Sequence, residues 1–236
     1  CKLRIYGVPE PATIALTRPA FAPLAVRKNL VKVLGGDTDP LPTAFTGEVT
    51  GAWAVYRQPP NLYFHVEALE GYYPAVAPSQ PKSYAGSASV AQLMEQLAIE
   101  MGYTFENNGV TTVLAYPYLS GSAYSQAAQL ADAANIEFGV DDGVLFIAPR
   151  GASRGGLTSV PLISAETGMK EYPTFDSKGL HVECLYNADI KLGGPVKIES
   201  QLAAASGIWR VNAVRHHLEA ENPGGKWLTK FKAAPA

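Results

Sequence analysis

Apolar and polar residues alternate along both ends of this chain and recur at helical spacing through its middle. Near the N-terminus Lys28 to Leu34, Phe45 to Tyr56 and Leu62 to Leu69 read as strands. Gly35-Gly36-Asp37 with Pro40 and Pro42, and then Pro59-Pro60-Asn61, supply the turns between them. Turn signals at intervals of roughly a dozen residues predict an antiparallel barrel or sandwich. In the middle, Val90, Leu93, Met94, Leu97, Ala98 and Met101 fall at i, i+3, i+4, i+7, i+8 and i+11, which is one apolar face of a helix. Ser87 or Ser89 is expected to cap its start and Gly102 to end it. A strand from Tyr103 to Phe105 follows. The plan repeats about 33 residues on: Ser122 caps, Gln129, Leu130 and Ala131 match Gln96, Leu97 and Ala98, and Phe138 matches Phe105. Asp141-Asp142-Gly143 then closes a hairpin into Val144 to Ala148. Two helix-strand units in tandem predict a small α+β domain of split β-α-β type. Strand patterning returns in Gly179 to Tyr186, Gly194 to Ser200, Ile208 to Leu218 and Lys226 to Lys232.

The two β-rich ends can be laid over one another without a gap. A separation of 165 positions sets Val31, Lys32 and Val33 on Val196, Lys197 and Ile198, and Val49 on Val214. It also sets Leu62, Phe64, Val66 and Ala68 on Trp227, Thr229, Phe231 and Ala233. This is the pattern of a duplicated β-domain. The expected fold is therefore mainly β with an α+β insert, two similar antiparallel β-barrel domains flanking a small split β-α-β domain. The barrels are placed at 1–76 and 159–236, and the α+β domain at 88–150. Linkers fall at 77–87 and at 151–158, the latter marked by Gly151, Ser153, Gly155 and Gly156. The stretch from Tyr73 to Ser87 carries Pro74, Pro78 and Pro81, which argue against a helix and make it a candidate partner-binding arm.

Composition narrows the functional classes. The 236 residues, 25.1 kDa, leave room for two or three small cores. Nineteen Lys and Arg are scattered and the net charge is −2, so the clustered basic stripe of a nucleic-acid binder is missing. No apolar run reaches the 18 or so residues of a membrane helix, and no membrane insertion is expected. Cys1 and Cys184 are too few for a disulfide framework and too far apart for a zinc site. Strand alternation begins straight after Cys1, which reads as a trimmed or Met-processed terminus rather than a lipoprotein tether.

The sequence carries no recognisable catalytic motif. Ser120-Gly121-Ser122 is no nucleophile elbow, because it feeds a helix start. His216 and His217 are neighbours on a strand and point to opposite faces, while His65 and His181 stand alone. Asp141 and Asp142 are explained by the turn they form, as are Glu219 and Glu221 near theirs. Gly35-Gly36 and Gly155-Gly156 lack the Lys-Ser/Thr ending of a phosphate loop. No catalytic, cofactor or metal residues are assigned, and no cofactor is expected.

Gly207-Ile208-Trp209-Arg210-Val211, followed by Val214, His216, Leu218, Pro223-Gly224-Gly225 and Trp227-Leu228-Thr229, resembles the closing strands of phage tail hub proteins. Leu185-Tyr186-Asn187, Ile190, Gly193 and Val196 to Ser200 are similar to the segment before them. Phe45-Thr46-Gly47-Glu48-Val49 and Leu62 to Ala68 resemble that family's first barrel. The family comprises the baseplate hubs of contractile-tailed phages, related to the late control protein D group and to the base of the type VI secretion spike. The resemblance implies a homotrimer with two barrels per subunit, forming a six-fold-like ring. Such a ring meets the hexameric tail tube on one side and the trimeric central spike on the other, and lets DNA through as passing cargo. It also implies a place in the virion tail baseplate, assembly in the host cytoplasm, and contact with wedge and tape measure proteins. Trp209, Trp227, Tyr172, Phe175 and His216 are the candidate interface anchors, with ordinary barrel core as the competing role for Trp227. A tail-associated cell-wall hydrolase and a carbohydrate-binding β-module remain alternatives.

Overall fold

The computed structural model describes residues 1–18, 29–56, 62–155, 159–177 and 179–235. The expected turn at Pro59-Pro60-Asn61, Lys28 and Gly156 lie outside them. The first unit consists of β1 (Lys2–Tyr6), α1 (Glu10–Leu16), β2 (Leu30–Leu34), β3 (Thr43–Val55) and β4 (Tyr63–Leu69). Its strands form one antiparallel sheet in the order β1-β4-β3-β2. Along β4, Phe64, Val66 and Ala68 are buried while Tyr63, His65 and Glu67 between them are part-exposed, the alternation the sequence predicts. Helix α1 is an addition. Pro11 stands in its first turn, where a missing N–H costs nothing because no intrahelical acceptor is available there.

The middle unit runs α2 (Tyr72–Val76), β5 (Lys82–Ser83), β6 (Ser87–Ser89), α3 (Val90–Met101), β7 (Thr104–Asn107), β8 (Val113–Ala115), β9 (Tyr118–Leu119), α4 (Ala123–Ala134), β10 (Ile136–Asp141) and β11 (Val144–Pro149). All six residues of the predicted apolar face of α3 are buried, in one core with Leu130 of α4 and with Leu145 and Ile147 of β11. Ser122 caps α4, its Oγ accepting from the Ser125 N–H at 3.2 Å. Ser89 stands at the N-cap of α3 without a side-chain bond, and the Val90 N–H donates to the Thr112 carbonyl instead. Strand β11 lies between β10, antiparallel to it, and β7, parallel to it.

From Tyr73 to Ser87 the structure departs from the expected non-helical arm in two ways. Tyr72–Val76 is helical, because Pro74 falls in the first turn and meets no preceding turn to clash with. The remainder is fastened rather than free. Strand β5 pairs with β9 and β6 with β8, and Pro78 bridges Ser122. The fully buried Gln126 donates to the carbonyls of Gln80 and Gly121.

The last unit has β12 (Leu162–Ile163), β13 (Thr174–Asp176), β14 (Gly179–Leu185), β15 (Pro195–Ile198), β16 (Gly207–Leu218) and β17 (Trp227–Pro235), in one sheet ordered β12-β15-β16-β17-β14-β13. Its central four strands, β14-β17-β16-β15, reproduce the order β1-β4-β3-β2. The registers agree as well. Leu3 faces Val66 as Val182 faces Phe231, Ala52 faces Val66 as Val214 faces Phe231, and Val31 faces Gly47 as Val196 faces Trp209. Both middle strands carry a bulge at the same place, between Val49 and Gly51 and between Val211 and Ala213.

This register corrects one pairing of the ungapped overlay. The separation of 165 holds for β2 with β15 and for β4 with β17, but on the middle strand it is 162. Val49 corresponds to Val211, and Val214 to Ala52. The overlay matched two core residues lying on opposite sides of the bulge. Because the bulge inserts one residue, a three-residue slip across it keeps both on the same face, so the hydrophobic pattern could not reveal the error.

The two sheets differ in how completely they are covered. Among the described residues, eleven buried ones form the core of the last unit, but Ala52, Phe64 and Val66 alone that of the first. Ile5 is 42% exposed where its counterpart Cys184 is 1% exposed. Two short strands, β12 and β13, flank the four-stranded unit in the last sheet, whereas among the described residues β1 and β2 are themselves the edges of the first. The chain is mainly β.

Candidate assembly interface

The three units meet through buried polar contacts and one apolar one. Gly35, directly after β2, lies on the ring of Trp227 and on Leu218 at the far end of the β16–β17 hairpin. A Cβ there would come within 3.3 Å of the indole. The indole is held in turn: its Nε1 donates to the Glu219 carbonyl at 2.9 Å, and Tyr186 stands edge-on to it at 5.8 Å. Beside it, Lys191 pairs with Asp142 of the β10–β11 turn and donates to the Thr43 carbonyl at 3.4 Å, touching all three units.

The first and middle units are joined by carboxylates. Glu48 of β3 is buried, and accepts from the Tyr103 hydroxyl at 3.0 Å and the Tyr72 N–H at 3.2 Å. The same hydroxyl accepts from the Gly71 N–H, and burial next to Glu48 raises its pKa. Glu70 accepts from the Gly143 N–H at 2.9 Å. Burial, with Asp141, Asp142 and Glu48 nearby, pushes its carboxyl up to about 7. Arg154 joins the middle unit to the last. It is buried over the ring of Phe146, donates to Glu106 and Asp141 at 2.8 and 2.9 Å, and reaches the Leu192 carbonyl. A further ion pair links Arg210 of β16 with Glu137 of β10.

The candidate anchors separate into two groups. Trp209 is half-buried on the last unit's core and donates to the Ala205 carbonyl at 2.9 Å. Trp227 lies at the contact with Gly35. His216 sits between Tyr186 and Thr229, with Nδ1 2.9 Å from the Thr229 Oγ1, and burial pulls its pKa down to about 4, so it is neutral at pH 7. These three are engaged within the chain. Tyr172 and Phe175 are exposed. The Tyr172 hydroxyl bonds Gln201 at 2.7 Å and walls a groove of about 500 Å³ lined by Ser164, Glu166, Met169, Lys170 and Glu199.

Sequence reasoning gave no junction role to Gly35, Glu48, Tyr103, Arg154 and Lys191, which form the junction. It also passed over an aromatic patch on the outer face of the first sheet. There Tyr6 and Tyr63 stand 5.8 Å apart, Trp53 and His65 4.6 Å, and Arg4 stacks over Tyr63. The alternation of β4 was the available signal for the patch, because Tyr63 and His65 share the face opposite Phe64 and Val66. His217 pairs with Glu219, apart from His216 on the neighbouring position. Among the described residues no group of three or more His, Cys, Asp or Glu is arranged to hold a metal, and no helix is long and apolar enough to cross a membrane.

Two solved structures share this architecture. One is the 43 kDa tail protein of prophage MuSo2 from Shewanella oneidensis, with a TM-score of 0.58 at 10% identity over 82% of this chain and 77% of that one. The other is a tail protein from Neisseria meningitidis MC58, with a TM-score of 0.58 at 9% identity over 81% and 80%. No curated protein matches in sequence. The fold is thus that of phage tail proteins. The model of the Baseplate hub gp41 family matches residues 26–223, and the chain belongs to that family. It is a structural protein of the phage tail baseplate, located in the virion tail.

Proposed function

We propose that three copies form a closed ring in which the two related sheets of each chain occupy six similar positions. The observation that carries this reading is the recurrence of one four-stranded unit, with the same order, register and bulge, at both ends of the chain. A chain with two such units needs three-fold symmetry to present six. In this reading residues 1–76 and 159–236 each curl into a tube-like barrel and 88–150 are a split α+β insert between them. The six-position face meets the hexameric tail tube and the three-fold face holds the trimeric central spike. DNA passes through the lumen on ejection, and a net charge of −2 suits a channel that does not grip phosphate. Wedge and tape measure proteins are further partners, assembly takes place in the host cytoplasm, and the role is structural rather than catalytic.

The open edges of the first sheet support the reading, because unpaired strand edges are normally covered, and a neighbouring chain is available to cover them. Light scattering on the purified chain tests it. A species of about three times 25.1 kDa is expected. A chain that stays monomeric at every concentration and in the presence of the spike, or that clears peptidoglycan in a zymogram, would overturn it.

A further inference from the structure

Inside the chain, the segment that follows β2 rests on the far end of the opposite hairpin, with Gly35 against Leu218 and Trp227. The shared register identifies the counterparts of both halves of this contact. Leu218 faces Trp227 as the last pair of β16 and β17. One step beyond Val55 and Tyr63, the last pair of β3 and β4, the same register sets Tyr56 opposite Leu62. The segment after β15, Glu199 to Gln201, corresponds to the segment after β2. Among the described residues, each chain therefore uses one such contact internally and leaves both halves of a second one without a partner segment. Tyr56 is 60% and Leu62 42% exposed at one end, and at the other the Glu199–Gln201 segment borders the groove walled by Tyr172.

We infer that the contact between neighbouring chains is this second copy of the internal one, with Tyr56 and Leu62 of one chain seated on Glu199 to Gln201 and Tyr172 of the next. The inference rests on the ring reading and adds which surfaces meet. Two different surfaces on one molecule, each fitting the other, make a head-to-tail contact, and a head-to-tail contact repeated by rotation closes a ring. The internal contact shows that the two unit types fit in this way. Charge favours the match as well. The groove carries Glu166 and Glu171 against Lys170, with Glu199 paired to Lys197, while Arg4 of the neighbouring β1 stacks over Tyr63 next to Leu62.

The test is disulfide trapping in the full chain, on a Cys1→Ser background that leaves the buried Cys184 in place. Leu62→Cys and Ser200→Cys combined should, on oxidation, link chains into a covalent species of about three times 25.1 kDa. Neither single variant should link chains. Linking by a single variant, or no interchain linking in a preparation that light scattering shows to be trimeric, would overturn the inference and leave the ring reading standing. A parent chain that never associates would overturn both. A second variant guards against loss of folding: Leu62→Ser should weaken association at least tenfold while leaving unchanged the unfolding temperature read at dilutions where both proteins are monomeric. Unweakened association would count against the contact.

Discussion

Replacing Glu70 by Gln tests the carboxylate junction between the first and middle units. In the folded chain the Glu70 carboxyl is pushed from 4.5 to about 7, chiefly by burial, with Asp141, Asp142 and Glu48 adding to the push and the Gly143 N–H opposing it. The folded state thus keeps a proton that the unfolded chain gives up. The stability this supplies is full below about 4.5 and is lost as pH rises through about 7. A displacement of that size corresponds to about 3 kcal/mol. The carboxyl is only partly buried, so solvent screening brings the figure to about 1–2 kcal/mol. Gln is neutral at every pH and its amide oxygen can still accept from Gly143. The variant should match the parent near pH 4.5 and exceed it by about 1–2 kcal/mol at pH 8. Urea denaturation of both proteins across this range, with the difference plotted against pH, reads the effect directly. A difference that is flat with pH, or a parent more stable at pH 8, would refute the argument.

Arg154→Met strands two carboxylates against Phe146 and should cost about 3–5 kcal/mol at pH 7, seen as a fall in unfolding temperature. Arg154 holds Glu106 below the usual carboxylate range, so the stability from this pair is present above the ordinary Glu value and lost in acid. The penalty of Arg154→Met should accordingly narrow as pH falls below about 4. Gly179→Ala strikes the backbone: with φ at +135° and a Cβ 2.1 Å from the Ala233 carbonyl oxygen, it forces β14 away from β17. A loss of about 2–4 kcal/mol is expected, and an unchanged thermal midpoint would contradict the geometry.

The long elements were legible because their periodicity is local. The α3 face and the β4 alternation each fall within a dozen residues, and burial follows them. Pro74 misled because a proline ends a helix only where a preceding turn exists, and it stands in a first turn. Strands β12 and β13, of two and three residues, have no pattern of their own and exist through pairing with β15 and β14. The junction was illegible for another reason. Glu48, Tyr103, Arg154 and Lys191 come from four separate segments, and each alone is an ordinary surface residue type. The duplication was visible at 165 positions, but the slip on the middle strand was not, since the bulge preserves the face.

The unequal finish of the two sheets gives this chain a division of labour that a genetic screen could read. In the last unit, the short strands β12 and β13 flank β15 and β14 and the core is filled from within the chain, so damage to that core falls on folding and shows as insoluble protein. In the first unit, among the described residues, β1 and β2 are left open and Ile5 half-uncovered. If the proposed ring covers those edges, polar substitutions along them leave soluble chains and no particles. A sorting of mutants by solubility and by infectivity would thus draw the line between the part of the protein that folding completes and the part that only the assembled tail completes.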